Sequence, residues 1–281
     1  MELTIGLQLF SVREELKKDF HGTLRKLAEI GYKNLEIAIH NSSEGLQAGG
    51  GLPPGEARRV IEDLGMKIVS THIFPIDSVA WEDLIAFNQE VGSTSIVCPI
   101  SFFTSKADVL QFCLDMNRYG EQAQKIGIDF YYHNHFHEFQ KIDDQPIMDM
   151  ILEHTDKDLV KIEFDTYWAL RGGADPVAYL QKLGTRCDKI HQKDLPATVL
   201  PANLLETIDN TELLTHPQFM ALRNPAYFTE IGDGMMDIPG ILAAVREIGA
   251  AQYIFVEQDL TAINELDSVE RSYRNLKELM K

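Results

Sequence analysis

Short apolar runs alternate along the chain with longer windows whose apolar positions recur every three or four residues. The runs at 3–10 (LTIGLQLF), 34–38 (NLEIA), 67–73 (KIVSTHI) and 94–100 (TSIVCPI) predict strands, as do 128–135, 159–165, 187–194 and 252–259. The intervening windows predict helices, among them 20–31, 55–65, 79–92, 107–127 and 238–249. Several end in glycine, the residue that most readily closes a helix in a left-handed conformation. Such alternation implies parallel strands joined by right-handed crossovers. Eight units in 281 residues match the size of an α/β fold of the (β/α)8 TIM barrel type. A doubly wound sheet is the competitor, but no G-x-G-x-x-G follows the first strand. The whole chain, 1–281, therefore reads as a single barrel.

One segment breaks the rhythm. Residues 195–230 are proline-interrupted and too long for an ordinary connection between strand and helix. They follow the seventh strand on the face where barrels keep their chemistry. A lid over the site and an arm that contacts a second subunit in a homodimer are the two expectations.

Polar residues concentrate at the C-terminal ends of the predicted strands. Gln8, Glu36, His72, His133 with His135, Asp165, His191 and Glu257 all fall there, where a barrel brings side chains remote in sequence around one axis. His133, Asp165, His191 and Glu257 form a candidate cage for one divalent metal ion. Two imidazoles and two carboxylates suit Mn, Zn, Co, Fe or Mg without choosing among them. Unpaired, these groups would be costly to bury, so the set of four argues for a cation more strongly than any one member does. In YYHNHFHEF, His133 and His135 are expected on the pocket side, with His137 past the strand and open to solvent.

Composition narrows the partners. A net charge of −17 disfavours nucleic acid and anionic membrane surfaces, and leaves small neutral substrates open. Three cysteines without C-x-x-C spacing predict neither a disulfide framework nor a cysteine zinc site, which fits a reducing cytoplasm. The first twenty residues predict a strand and a polar helix in place of a leader, and no apolar run is long enough to span a bilayer.

Taken in order, GLQLFSVR, YHNHFHEF, FDTYWA, HQKD, IGDGMMD and VEQD resemble the sugar phosphate isomerase/epimerase superfamily, whose members have a xylose isomerase-like TIM barrel. The resemblance covers nearly the whole chain. It implies one divalent metal held at the ends of strands five to eight by a Glu, an Asp, a His and a Glu. Asp165, His191 and Glu257 match the last three. At strand five the family often reads Glu-Asn-His, where this chain has His133-Asn134-His135. The paired metal-bound glutamates of the family's epimerases, one on each face of the substrate carbon, therefore do not carry over unaltered. Glu257 remains as the matched base. Its partner is expected among Glu138, His135 and Lys193. His72, Glu36, Trp168 and Gln8, with Arg13 a weaker candidate, are expected to contact substrate or support the site.

The resemblance implies a metal-dependent isomerase or epimerase of a keto-sugar or sugar derivative. Proton abstraction next to a carbonyl would pass through an enediolate. The alternative is a dehydratase or lyase acting on a 3-keto-sugar or keto-inositol. Isomerisation or epimerisation comes first, and the loss of the second glutamate adds weight to the alternative, because elimination needs a base and an acid but no symmetric pair. No glycine-rich phosphate cradle opens a helix near strands seven and eight, so a non-phosphorylated substrate is preferred. A DNA-repair nuclease on the same barrel would need further histidines where this chain has Cys98-Pro99, Trp168 and Gly234. A barrel that binds a sugar without catalysis is the remaining possibility.

Overall fold

The computed structural model describes residues 3–281. Eight parallel strands close into a barrel: β1 Thr4–Gln8, β2 Asn34–Ile39, β3 Lys67–Ile73, β4 Ser95–Cys98, β5 Asp129–His133, β6 Lys161–Asp165, β7 Lys189–Gln192 and β8 Tyr253–Val256. Each strand pairs with its sequence neighbours, and β8 closes on β1 through Thr4↔Tyr253 to Leu7↔Val256. Helices α1 Phe20–Ile30, α2 Pro54–Asp63, α3 Trp81–Val91, α4 Lys106–Gln124, α5 Ile147–His154, α6 Pro176–Leu183, α7 Ile238–Ile248 and α8 Glu265–Leu279 wrap the outside. Among the described residues, no helix is long and apolar enough to cross a membrane.

Local chemistry sets the helix limits. Asp19 caps α1 by accepting from the Gly22 amide at 2.8 Å, and Gly31 ends it at φ 118°. The apolar faces of the helices bury Leu24, Leu27, Ile61, Leu84 and Leu242 against the outward side chains of the strands. Inside the barrel, a Cβ at Gly6 would run into the ring of Phe255, so glycine is required there.

The strands are shorter than their sequence patterns suggest. The fifth ends at His133 and not at 135, the seventh at Gln192 and not at 194, and the eighth at Val256 and not at 259. In each case the chain leaves the ladder where the site loops begin. Ladder register brings chemistry together: Asp165 lies beside His191, His133 beside Glu163 and Gln8 beside Glu36.

The segment 195–230 carries a short helix, His216–Ala221, flanked by 3-10 turns at Leu204–Glu206 and Pro225–Tyr227. Side chains from the barrel tie it down. The amide of Gln140 donates to Asn210 Oδ1 (2.6 Å) and Glu212 O (2.9 Å) and accepts from Leu214 N (2.8 Å). Buried Arg171 donates to Ala202 O at 2.7 Å, and Tyr167 OH to Tyr227 O at 2.8 Å. Phe219 is thereby stacked on Phe136 (centroids 5.3 Å apart) and set against His135 and Trp168 at the mouth.

Candidate metal and active site

Two rings of ligand-type side chains lie one above the other at the C-terminal end of the barrel, and His191 belongs to both. The upper ring is His133, Asp165, His191 and Glu257, and the lower is Glu36, His72, Glu163 and His191. Within each ring one donor atom per residue lies within 4.8 Å of every other. Ligands about 2.1 Å from a metal ion sit roughly 3.4 Å apart in a tetrahedron and 4.2 Å apart across an octahedron, so the upper ring has the right dimensions.

The sequence positions each member locally. Asp165 ends β6 and caps the short helix Thr166–Arg171, its Oδ1 accepting from Trp168 N at 2.7 Å, which leaves Oδ2 for the cage. Asn134 exchanges two hydrogen bonds with the Asp165 backbone and locks the ends of β5 and β6 together. The His133 Nδ1–H donates to Pro99 O at 3.1 Å, which turns Nε2 towards the cage. That nitrogen is buried, lacks a hydrogen-bond partner, and lies 3.5 Å from Asp165 Oδ2. An orphaned imidazole nitrogen beside a carboxylate oxygen fits a cation between them.

His191 connects the rings. Its Nδ1 faces Glu257 Oε2 at 2.8 Å and its Nε2 faces Glu36 Oε2 at 2.6 Å, with Glu163 Oε2 at 3.3 Å. His72 Nε2 lies 2.5 Å from Glu163 Oε2 and 3.1 Å from Glu36 Oε2. Burial disfavours the imidazolium of His72, but Glu36 and Glu163 outweigh it and raise its pKa to about 9. His191 is raised well above its ordinary value against the same burial penalty, by Glu163, Glu36 and Glu257. Burial alone would raise the acid of Glu36, yet His72 and His191 hold it well below the carboxylate range. The lower ring thus pairs two carboxylates with two imidazolium groups and orients His191 towards the upper one.

Lys193 sits within the upper ring. Its fully buried ammonium bonds Asp165 Oδ2, lies 2.5 Å from Glu257 Oε2 and 3.5 Å from Asp259 Oδ2. Burial lowers a lysine pKa, but Asp165, Asp259 and Glu257 hold this one above its usual range. Against their own burial penalties, Asp165 is lowered chiefly by Lys193, and Glu257 well lowered by Lys193 and His191.

The other predicted residues fall as follows. His135 lies just past β5, edge-on to His133 (5.0 Å) and 5.4 Å from Trp168. Its Nδ1 is buried without a partner, and burial with its histidine neighbours keeps it neutral. Trp168 forms an apolar floor beneath Lys193 Nζ, 5.6 Å above its ring. Glu138 turns away from the cage: Tyr132 OH donates to Oε1 (2.6 Å) and His135 N to Oε2 (2.9 Å). Glu36 and Gln8 point into the barrel, where Gln8 Nε2 donates to Glu36 Oε2 at 2.9 Å. Arg13 bonds Phe10 O and stacks on the Phe10 ring. The expectation of a solvent-exposed His137 is corrected. That residue is buried, stacked on Phe102 at 4.6 Å, with Nε2 on Ser101 O, because the chain folds into a 3-10 turn right after β5. Asp194, which follows Lys193 in HQKD, holds the loop instead, its carboxylate accepting from the amides of Leu195, Gly232, Gly234 and Met236.

Sequence reasoning passed over Glu163 and Asp259. Glu163 precedes an inward-facing aspartate by two residues, and period-2 geometry puts both on one face. Asp259 lies two residues past Glu257 in VEQD.

Comparison with known proteins agrees with this architecture. An inosose dehydratase of Geobacillus kaustophilus is 31% identical over 144 residues, 51% of this chain and 43% of that protein. An inosose dehydratase of Clostridium beijerinckii is 26% identical over 184 residues, 65% of this chain and 58% of that protein. The chain spans about half the length of the curated relatives it matches. Among solved structures, a sugar phosphate isomerase/epimerase from Parabacteroides distasonis superposes with a TM-score of 0.78 at 25% identity, covering 99% of both chains. Residues 24–279 match the family described as xylose isomerase-like TIM barrel, and the chain belongs to that family.

Proposed function

We propose that this chain is a divalent-metal-dependent lyase that removes the proton next to the carbonyl of a keto-sugar or keto-cyclitol and expels an oxygen substituent from the β-carbon. The supporting observation is the asymmetry of the upper ring. Glu257 is a single carboxylate base, and the group beside it, at 2.5 Å, is the ammonium of Lys193, where a symmetric proton exchange would need a second base. The curated relatives named inosose dehydratase support the same reading.

His133 Nε2, Asp165, His191 Nδ1 and Glu257 would hold the ion, which supplies a Lewis acid for the substrate oxygens when bound. The residues do the rest. Glu257, which Lys193 and His191 already hold as a carboxylate before any ion enters, takes the proton from the α-carbon. The C–H electron pair becomes the C=C bond of the product as the β C–O bond breaks. The departing oxygen takes a proton from Lys193, the nearest cationic donor. Neutral His135 and the indole N–H of Trp168, both unpartnered and buried, offer hydrogen bonds to substrate oxygens. Glu138 stands behind His135 and fixes its backbone. Phe219 of the 195–230 segment acts as a lid or wall that keeps water out.

An isomerase or epimerase is the second reading, favoured by the full-length similarity to the Parabacteroides distasonis protein. One experiment separates the two. Protein loaded with Mn or Zn is incubated in D2O with keto-inositols and 3-keto-sugars and followed by NMR. Loss of the β-substituent, abolished in Glu257→Gln, is expected. Deuterium uptake or a new epimer without elimination selects the isomerase. No exchange with any substrate of the panel overturns both.

A further inference from the structure

Lys193 follows His191 by two residues and so leaves the end of β7 towards the same interior. The oxygens its ammonium touches, Asp165 Oδ2 and Glu257 Oε2, are carboxylate oxygens of the upper ring itself. Seated between them, the ammonium occupies the space a divalent ion would take. Both would lie within a few ångströms of each other in a buried site, where like charges repel strongly. A third carboxylate stands ready nearby. Asp259 Oδ2 is buried, lacks any hydrogen-bond partner, and lies 3.5 Å from Lys193 Nζ. Less than an ångström of movement, well within the reach of a flexible four-carbon stem, closes that gap.

We propose that Lys193 is a displaceable internal cation with two berths, Asp165–Glu257 and Asp259, and that an ion entering the upper ring drives it from the first to the second. This rests on the metal-site reading above. Lys193 then sets metal affinity by competition, and Asp259 sets it by receiving the displaced charge, although Asp259 binds no metal. Occupation of the ring and the position of the ammonium presented to substrate become one event.

The test is a Zn titration of the full chain by competition with a chromophoric chelator, on wild type, Lys193→Gln, Asp259→Asn and the double variant. Removing the competing ammonium should tighten binding between about 5- and 150-fold, the usual span of such couplings. Asp259→Asn should weaken it by a similar factor, with little change in the unfolding of EDTA-treated protein. In the Lys193→Gln background, that weakening should largely vanish. A Lys193→Gln variant that binds Zn no more tightly than wild type overturns the proposal. So does an Asp259→Asn effect of equal size in both backgrounds, since that is mere through-space attraction. Should Lys193→Gln fail to fold, wild type labelled with 13Cε-lysine decides. The Lys193 signal should move on Zn loading and move less in Asp259→Asn, and a signal that stays put overturns the proposal. Wild type that takes up no Zn overturns the metal reading as well, and so differs from failure of the displacement alone.

Discussion

Glu163→Gln tests whether the lower ring is held together by charge. Against its burial penalty, Glu36 and Glu163 raise the pKa of His72 to about 9, from an ordinary value of 6.5. A pKa raised on folding contributes stability that is fully present below pH 6.5 and lost as pH rises through 9. At pH 7 folded His72 is almost fully protonated while the unfolded residue is mostly neutral, a difference worth about 2–3 kcal/mol. Glu36 and Glu163 share that effect, and Glu163 holds the shorter contact with His72, 2.5 Å against 3.1 Å. Replacing its charge by an amide of similar shape should remove about 1 kcal/mol at pH 7. His191, raised by the same carboxylate, adds loss of the same sign. Urea unfolding of both proteins in EDTA from pH 6 to 10 is the assay. The His72 share of the deficit should be largest at the acid end of that range and fall steadily with pH, to less than about 0.5 kcal/mol by pH 10, when His72 is neutral in both states. A deficit that does not vary with pH would refute the reasoning, leaving Glu163 a matter of packing alone.

Three further outcomes are expected. Phe219→Ala removes the stacked contact with Phe136 and should cost about 3 kcal/mol of stability. In steady-state kinetics it should also raise KM more than it lowers kcat, and an unchanged KM would remove the 195–230 segment from the site. Metal uptake must expel the proton from His191 Nδ1, so Zn affinity should rise with pH below the raised His191 pKa, by up to about tenfold per unit. A flat profile between pH 6 and 8 would deny ligation through that nitrogen. His133→Glu strips the partner from Pro99 O and sets a second carboxylate beside Asp165. Competition between Zn and Mg should shift towards Mg as an imidazole gives way to oxygen, with the EDTA-treated protein destabilised by about 1–3 kcal/mol.

The barrel was legible because its signals are local. The apolar strand runs stand between helical windows, most of them closed by glycine, and Asp165, His191 and Glu257 stand near strand ends in the order a barrel requires. What escaped the sequence depends on the third dimension. Glu163, in the middle of KIEFD, is an improbable barrel-interior residue until His72 from β3 and His191 from β7 are seen to face it. The direction of Glu138 is set by the 3-10 turn after β5, which presents its carboxylate to Tyr132 and the His135 amide. The burial of His137 depends on Phe102, more than thirty residues earlier in the chain. The patterns at 187–194 and 252–259 ran past the true strand ends because the residues that leave the ladder there, Lys193 and Asp259, return to the site as inward groups.

The charges of the two rings explain the odd histidine at the end of β5. Five carboxylates, Glu36, Glu163, Asp165, Glu257 and Asp259, converge there with their side chains buried. Lys193, His72 and His191, all held protonated by their carboxylate neighbours, answer three of them. Two negative charges are left over in a place where unpaired charge is costly. Burial eases the excess by pushing the carboxyl of Asp259 up. A divalent cation eases it further, bringing two charges while displacing one proton from His191. A glutamate at 133 would have added a sixth carboxylate to a ring already short of cations. The imidazole offers the upper ring a fourth donor without adding to that deficit, and the carboxylate at Glu163, one layer below, keeps His191 aimed at that ring.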